Sequence, residues 1–469
     1  MSATAAALAC VFIPLAGAVL AWVLPPQARW AGLAVAAGVL VAAALVVGGV
    51  ATAGPVALVV GGWPAGLGIS LRVDGVGAMF LLASALVGLA ASVHAWGYFQ
   101  RDSAFWVLWL LLWAALNGVF ITADAFNAYV CLELVGLTAA SLVALGGDAP
   151  ALRAALRYLL VSLVGATAYL AGVALLYLTG GTLELAGLAP GAAGLVGAVA
   201  TGLILAGLGL KAALFPLHGW LAPAHARAPG PVSAILSALV VKAALFLIWR
   251  WHTEVFAAYG RTGDLLALLG GAAVVWGSLQ ALRADRLKAI IAYSTVAQIG
   301  YLALALGLTE TAPEAVVGVA YLALTHALAK GAAFLAAANT RRAAGHDRWP
   351  TAAAYLRGRP LNLTAFALAA VSLAGLPPSG GFVAKWYLLQ AAAAAGRLDL
   401  ALALAAGGLL AAAYLYRIIH PGLDPRPPAM PRAAPSPLLE CSALGLALAA
   451  TVLGLAVPWA GLLVMGVAP

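Results

Sequence analysis

The chain has 469 residues, 65% of them hydrophobic and 8% charged, with a formal net charge of +9. A soluble domain sits nearer half apolar, and so few charges could not cover the surface of a soluble protein of this length. The positive charge falls in short loops between apolar runs, not on one face of a domain, which argues against a nucleic-acid partner.

Apolar runs of about 20 residues, each long enough to cross a bilayer, recur from end to end. Fourteen spans are expected, at roughly 3–24, 30–53, 74–97, 105–123, 125–146, 154–179, 194–223, 232–252, 263–282, 289–308, 313–338, 361–395, 398–420 and 436–465. The fold class is therefore an all-α membrane protein with no soluble domain. Residues 3–24 lack a basic n-region, the first arginine being Arg29, so they are expected to be the first membrane helix and not a signal peptide. Two interruptions are long. The first, 54–73, holds GGWPAGLG and is expected to be an extracytoplasmic loop or short hairpin; the second, 339–360, is rich in Arg and is expected on the cytoplasmic side.

The seventh span runs through GLGLKAALFPLHGW, with Gly207, Gly209 and Pro216 inside it. The twelfth runs through SLAGLPPSGGFVAKW, with Pro377, Pro378, Gly380 and Gly381. Proline removes a backbone hydrogen bond and glycine loosens the turn. Such breaks are tolerated at membrane depth only where protein or a wet cavity surrounds them. A broken helix in each half points to inverted repeats with a midplane site. The expected organisation is an N-terminal three-helix segment (1–103), a first five-helix repeat (104–252), a second (263–420) and a C-terminal helix (436–469).

Basic residues set the orientation. Odd-numbered loops and their helix ends hold sixteen: Arg29, Arg101, Arg153, Arg157, Arg227, Arg283, Arg286, Lys288, Arg341, Arg342, Arg348, Arg357, Arg359, Arg417, Arg426 and Arg432. Even-numbered loops hold four, Arg72, Arg250, Arg261 and Arg397. The odd loops are expected to face the cytoplasm, with both termini outside the cell (inner) membrane.

Against nineteen arginines stand five lysines, Lys211, Lys242, Lys288, Lys330 and Lys385. Four lie inside expected spans and Lys288 opens one, whereas nearly all the arginines lie in loops or at helix ends. A buried Lys can release its proton and an Arg does not. A charge at mid-membrane costs about 2.5–3.5 kcal/mol on insertion scales, so lysines kept there point to a use. The structural alternative is that each snorkels to the nearest interface.

Glu133, in NAYVCLELVGL, is the one acid deep in a span. A lone buried carboxylate needs a proton or a cation, and Lys211 is the expected partner; a protonated, hydrogen-bonded Glu133 is the alternative. His326 precedes Lys330 by four residues in YLALTHALAKGAAF, which places both on one helix face. His218 follows Lys211 by seven and would share its face in an unbroken helix. His94, His225, His252, His346 and His420 fall in loops or near span ends, where solvated or interfacial roles are expected. Ser233, Ser237, Tyr293, Ser294, Thr295, Gln298, Thr325 and Ser372 are placed to hold water between charged groups or to serve as packing contacts. Cys10, Cys131 and Cys441 lie far apart in apolar helices and are expected to be small core residues. No metal, cofactor or nucleophile motif is visible, so catalytic chemistry of the chain's own is not expected.

LKAALFPLHGWLAPAHARAPGPVSAILSALVVKAALF, DRLKAIIAYSTVAQIGYL, THALAKGAAFL and SLAGLPPSGGFVAKW together resemble the antiporter-like membrane subunits shared by respiratory complex I, membrane-bound hydrogenases and multisubunit cation/proton antiporters. The resemblance covers spans three to thirteen. It implies a fourteen-helix core, two inverted five-helix repeats and a wet polar axis along the membrane plane. It also implies roles: Glu133 as the span-five glutamate, Lys211 as its partner at the seventh-span break, and Lys242 as the connecting lysine. His326 and Lys330 resemble the eleventh-span relay, and Lys385 the ionisable residue at the twelfth-span break. Lys at 385 departs from the complex I type that carries Glu there. What is left is the complex I N-type subunit, the antiporter D-type subunit or a hydrogenase-associated relative, with LPPSGGF and PVSAILSALVVK leaning toward the D-type. The expected function is proton translocation inside a larger membrane assembly, with Na⁺ or K⁺ as a further transported ion. The competing readings are a self-contained secondary carrier for a cation or small solute, against which stands the lack of a carboxylate cluster, and an inert membrane scaffold.

Overall fold

A computed structural model of the chain describes residues 2–63, 66, 68–99, 103–256, 262–312, 314–427, 436–456 and 463–464. Arg101, Arg261 and Arg432, and residues 457–462 and 465–469 of the last expected span and the tail beyond it, lie outside the described residues. The helices in chain order are α1 (Ala3–Val23), α2 (Ala28–Ala53), α3 (Gly75–Tyr98), α4 (Ser103–Ile121), α5 (Ala125–Ala144), α6 (Ala149–Gly180), α7 (Gly194–Ala212), α8 (Leu221–Arg227), α9 (Gly230–Ile235), α10 (Val241–Glu254), α11 (Thr262–Arg283), α12 (Leu287–Leu306), α13 (Ala315–Ala344), α14 (Pro360–Ala374), α15 (Gly380–Ala394), α16 (Leu398–Leu423) and α17 (Pro437–Val452). The hairpin expected at 54–73 is present: β1 (Val56–Val60) pairs antiparallel with β2 (Ile69–Val73), Val56 opposite Val73 and Val60 opposite Ile69.

Among the described residues thirteen helical segments are long and apolar enough to span a membrane. The twelfth expected span is instead two shorter helices, α14 and α15, separated by Gly375–Ser379, and with that pair the count reaches the fourteen expected. The eleventh runs longer than expected, to Ala344, so the following loop begins at Gly345. The scarce acids of the loops cap helices: Asp74, Asp124 and Asp148 accept the backbone N–H of Gly77, Asn127 and Ala151 at 3.0, 2.6 and 2.7 Å.

Both expected breaks are real, and each has a local cause. Helix α7 stops where Ala213 adopts a left-handed conformation (φ 54°), and Pro216 lies beyond it. The carbonyl of Leu210 accepts the Trp220 indole N–H at 2.8 Å beside the Ala213 backbone N–H at 3.3 Å, and Trp220 stacks on Tyr158 of α6 at 4.3 Å. Helix α14 stops at Gly375 (φ 81°), and α15 restarts with Ser379 as its N-cap. Gly381 has to be glycine: a Cβ there would meet the Ser372 carbonyl oxygen at 1.9 Å.

Burial is graded from the rim inward. The most apolar windows of the segment 230–254 and of α13 are wholly buried, whereas α1, α2, α6 and α16 turn large side chains such as Trp22, Leu178 and Leu409 outward. Outward-facing leucines are expected where lipid is the solvent. The polar contacts between loops sort by parity. Arg72 with Glu254, Arg250 with Asp74, Arg397 with Asp264 and His252 with Glu310 join even-numbered loops or the helix ends beside them. Arg227 with Asp148, Arg286 with Asp347, Arg357 with Asp424 and Arg359 with Glu440 join odd-numbered ones. Such sorting is what consecutive spans crossing in alternate directions produce.

Candidate functional site

The site grows from the four lysines inside spans. None snorkels. Lys211, Lys242, Lys330 and Lys385 are 7%, 1%, 0% and 6% exposed, and each ammonium ends on oxygens inside the bundle.

Lys211 lies in the last turn of α7, where the helix dipole favours a cation. Its Nζ donates to the Ser162 hydroxyl of α6 at 2.9 Å and to the Leu132 carbonyl of α5 at 3.3 Å. Glu133 Oε1 is also 3.3 Å away. The expected pair is therefore in contact, with the Glu133 side chain 21% exposed at the outer side of α5. A cavity of about 10 Å³, room for one water molecule, lies between Lys211 and Val240 and Ala244 of the eighth span.

Lys242 meets an irregularity. Residues Leu236–Val240 between α9 and α10 form a π-helical turn, a feature that often marks functional sites. Lys242 Nζ donates to the Ser237 carbonyl, five residues back, at 3.1 Å. The Ser237 hydroxyl lies 2.8 Å from that of Thr295 on α12, and Thr295 donates to the Ile291 carbonyl at 3.1 Å. The same carbonyl accepts Lys330 Nζ from α13 at 2.9 Å, and Lys330 also contacts the Ser294 hydroxyl. Ser237 thus stands between the two lysines: its carbonyl receives Lys242, and its hydroxyl leads by way of Thr295 to the carbonyl that receives Lys330.

Lys385, in the second turn of α15, donates to the Leu373 and Ala374 carbonyls at the end of α14, both at 3.0 Å. Its ammonium lies 4.4 Å from the centre of the Tyr301 ring, a cation–π contact. Gln298 of α12 donates to the same Leu373 carbonyl at 3.1 Å. His326, one turn before Lys330, is 2% exposed with neither ring nitrogen hydrogen-bonded, within electrostatic reach of Lys242, Lys330 and Lys385.

His218 stands apart. The stop at Ala213 turns it from the face of Lys211, and its Nε2 accepts the Trp276 indole N–H of α11 at 3.1 Å. Three histidines expected at solvated or interfacial positions are fully buried instead: His94 bonds Ser442 of α17 at 2.8 Å, His225 stacks on Phe334 at 4.5 Å, and His252 lies 3.4 Å from Glu310. His94 and His225 are buried by helices distant in sequence, and His252 by Thr262 and Glu310, none of which composition near a span end reveals. Cys441 is exposed and not a core residue, while Cys10 is buried and Cys131 half-buried. Sequence reading missed Ser162, Tyr301 and the π-helical turn; no local pattern marks them. Among the described residues no group of His, Cys, Asp and Glu could hold a metal ion.

Fold and site together define a polytopic α-helical membrane protein with a row of buried ionisable side chains threaded between two broken helices. The chain belongs to the NADH:quinone oxidoreductase/Mrp antiporter transmembrane family, which it matches over residues 122–411. It is 36% identical over 423 residues to the N-type subunit of NADH-quinone oxidoreductase from Desulforudis audaxviator, covering 87% of this chain and 84% of that one. To the D-type subunit of the Na⁺/H⁺ antiporter from Bacillus subtilis it is 29% identical over 393 residues, 81% and 79% of the two chains. A chain in the structure of the Mrp complex from Dietzia sp. DQ12-45-1b superposes with a TM-score of 0.89 at 27% identity, over 99% of this chain and 97% of that one.

Proposed function

We propose that the chain translocates protons as an antiporter-like subunit of a multisubunit membrane complex. The observation that carries the reading is the row of buried lysines, three of them held by neutral groups (backbone carbonyls, a hydroxyl and, for Lys385, the Tyr301 ring) and one by a carboxylate as well. An ammonium held by neutral oxygens has lost water without gaining a counter-ion, so its charged form is poised to give up a proton. In this reading Glu133 and Lys211 load a proton in the first half. Lys242 passes the change of charge to His326 and Lys330, and Lys385 ends the row in the second half, with His218 serving the broken seventh span. The two halves correspond to inverted repeats at 104–252 and 263–420, flanked by 1–103 and 436–469. The odd loops face the cytoplasm and both termini lie outside, which a tag on either end reports.

The relatives bear the names of two assemblies, and the identity to the N-type subunit supports a place in an NADH-quinone oxidoreductase-type complex as well as in a cation/proton antiporter. Purification of the tagged chain from its native membrane tests the proposal. Co-purifying membrane subunits are expected, and their identities distinguish the two assemblies. A chain that purifies alone and exchanges cations unaided in liposomes contradicts it in favour of a self-contained carrier.

A further inference from the structure

The lysine row leaves a second group of cations unused. Arg153 and Arg157, one turn apart on α6, are exposed, and among the described residues neither has an ion pair or a hydrogen bond. Both line a recess of about 350 Å³ between α6 and α8, whose far wall carries Pro223 and Arg227. Arg227 is paired with Asp148 at 3.6 Å, and that carboxylate is itself largely exposed. Three guanidiniums therefore face the recess against one carboxylate. The positive bias of loops on one side of a membrane asks only for charge on that side. It does not gather three guanidiniums around one recess.

Helix α6 sets the depth of the recess. Its 32 residues run about 48 Å against a hydrocarbon layer of about 30 Å, so its first turns reach the headgroup layer. Past the arginines the outward side of α6 is apolar: Leu156, Leu160 and Val164 are each more than half exposed. From Arg153 to Val164 the axis rises roughly 16 Å, about the hydrocarbon depth of one leaflet. We propose that the recess binds one anionic phospholipid, its phosphate on Arg153, Arg157 and Arg227 and an acyl chain along Leu160 and Val164. Guanidinium forks match phosphate oxygens, and basic pockets between membrane helices take acidic headgroups. A zwitterionic headgroup would bring its own ammonium against three guanidiniums. A free phosphate ion would leave the apolar side of α6 unused. Trp220, the residue before α8, already stacks on Tyr158 of α6, so the lipid would hold the same seam from outside, next to the break of the seventh span. The site does not depend on the proton-translocating reading.

The test is native mass spectrometry of the tagged chain, purified from its native membrane with the subunits that accompany it and stripped of lipid by detergent exchange. It is then titrated with phosphatidylglycerol, with phosphatidylcholine or with phosphatidylglycerol in the presence of inorganic phosphate. The wild-type protein is expected to hold one phosphatidylglycerol more tightly than phosphatidylcholine and to keep it when inorganic phosphate is added. Arg153→Gln combined with Arg157→Gln is expected to weaken that lipid about tenfold. Equal uptake of phosphatidylcholine, or unchanged affinity for phosphatidylglycerol in the double variant, overturns the proposal. Displacement of the lipid by inorganic phosphate overturns it in favour of a free-anion site. A wild-type protein that takes up no such lipid, beside a double variant that loses an accompanying subunit, overturns it in favour of a protein contact. Should the double variant fail to assemble, Arg157→Gln alone decides by the same comparison.

Discussion

At the scale of single residues, the two ends of the lysine row are built differently. Lys211 faces a carboxylate, whereas Lys385 faces two carbonyls and an aromatic ring. The Lys385 contacts also describe a helix cap, since a cation near the last carbonyls of α14 is stabilising in its own right. Lys385→Arg separates the roles. Arginine keeps the charge and offers more donors for the same carbonyls, but its pKa above about 12 keeps it from yielding a proton. The expected outcome is an assembled complex whose proton transport falls to the level of Lys385→Ala. Wild-type transport by the arginine variant would leave Lys385 as a cap alone. The Glu133–Lys211 contact was legible in the sequence because a lone acid deep in an apolar span demands a cation. Which carbonyls receive Lys242, Lys330 and Lys385 was not legible, because Ile291 and Leu373 offer only backbone oxygens and their positions follow from how the helices pack.

At the scale of elements, helix breaks read well and helix irregularities did not. Proline and left-handed glycine announce a stop in one dimension, as at Pro216 and Gly375. The π-helical turn at Leu236–Val240 carries no comparable mark. Apart from Ser233 and Ser237 it lies in an apolar run whose residues are all buried, so periodicity has no exposed face against which to show the slip. The even-loop end of α10 is held by a compact ion cluster: Arg250 donates to Asp74 Oδ1 at 2.7 Å, and Arg72 contacts Glu254 from the hairpin. Burial on its own would raise the Asp74 carboxyl; the Arg250 guanidinium, by its charge and hydrogen bonds, outweighs that and holds the group below its ordinary value. A carboxyl depressed in the fold adds stability above its unfolded pKa of about 3.9 and loses it as pH falls through the folded value. Thermal unfolding in detergent is therefore expected to be steady from neutral pH down to about pH 5 and to weaken below about pH 4. Asp74→Asn is expected to lose roughly 3 kcal/mol at neutral pH, since it leaves Arg250 buried and short of its partner, and to flatten the acid-side decline. An unchanged melting profile in that variant would show that the pair contributes nothing.

At the scale of the whole molecule, the span count and the alternation of loop sides follow from apolar length and basic-residue bias, and both are properties of local composition. The bundle's interior is a different matter. His94 and His225 become part of it through α17 and α13, helices far away in sequence, and no single-chain pattern reports such neighbours. The architecture places 230–254 and α13, whose most apolar windows are wholly buried, at the centre with Lys242 and Lys330 on them, and brings the two broken helices to the ends of the row. The central claim is that protons move through this row, beginning at the carboxylate. Proton transport in native-membrane vesicles carrying Glu133→Ala, corrected for assembled complex, tests it most directly. The account predicts transport abolished or severely reduced with assembly intact. Full transport at normal levels of assembled complex would contradict it.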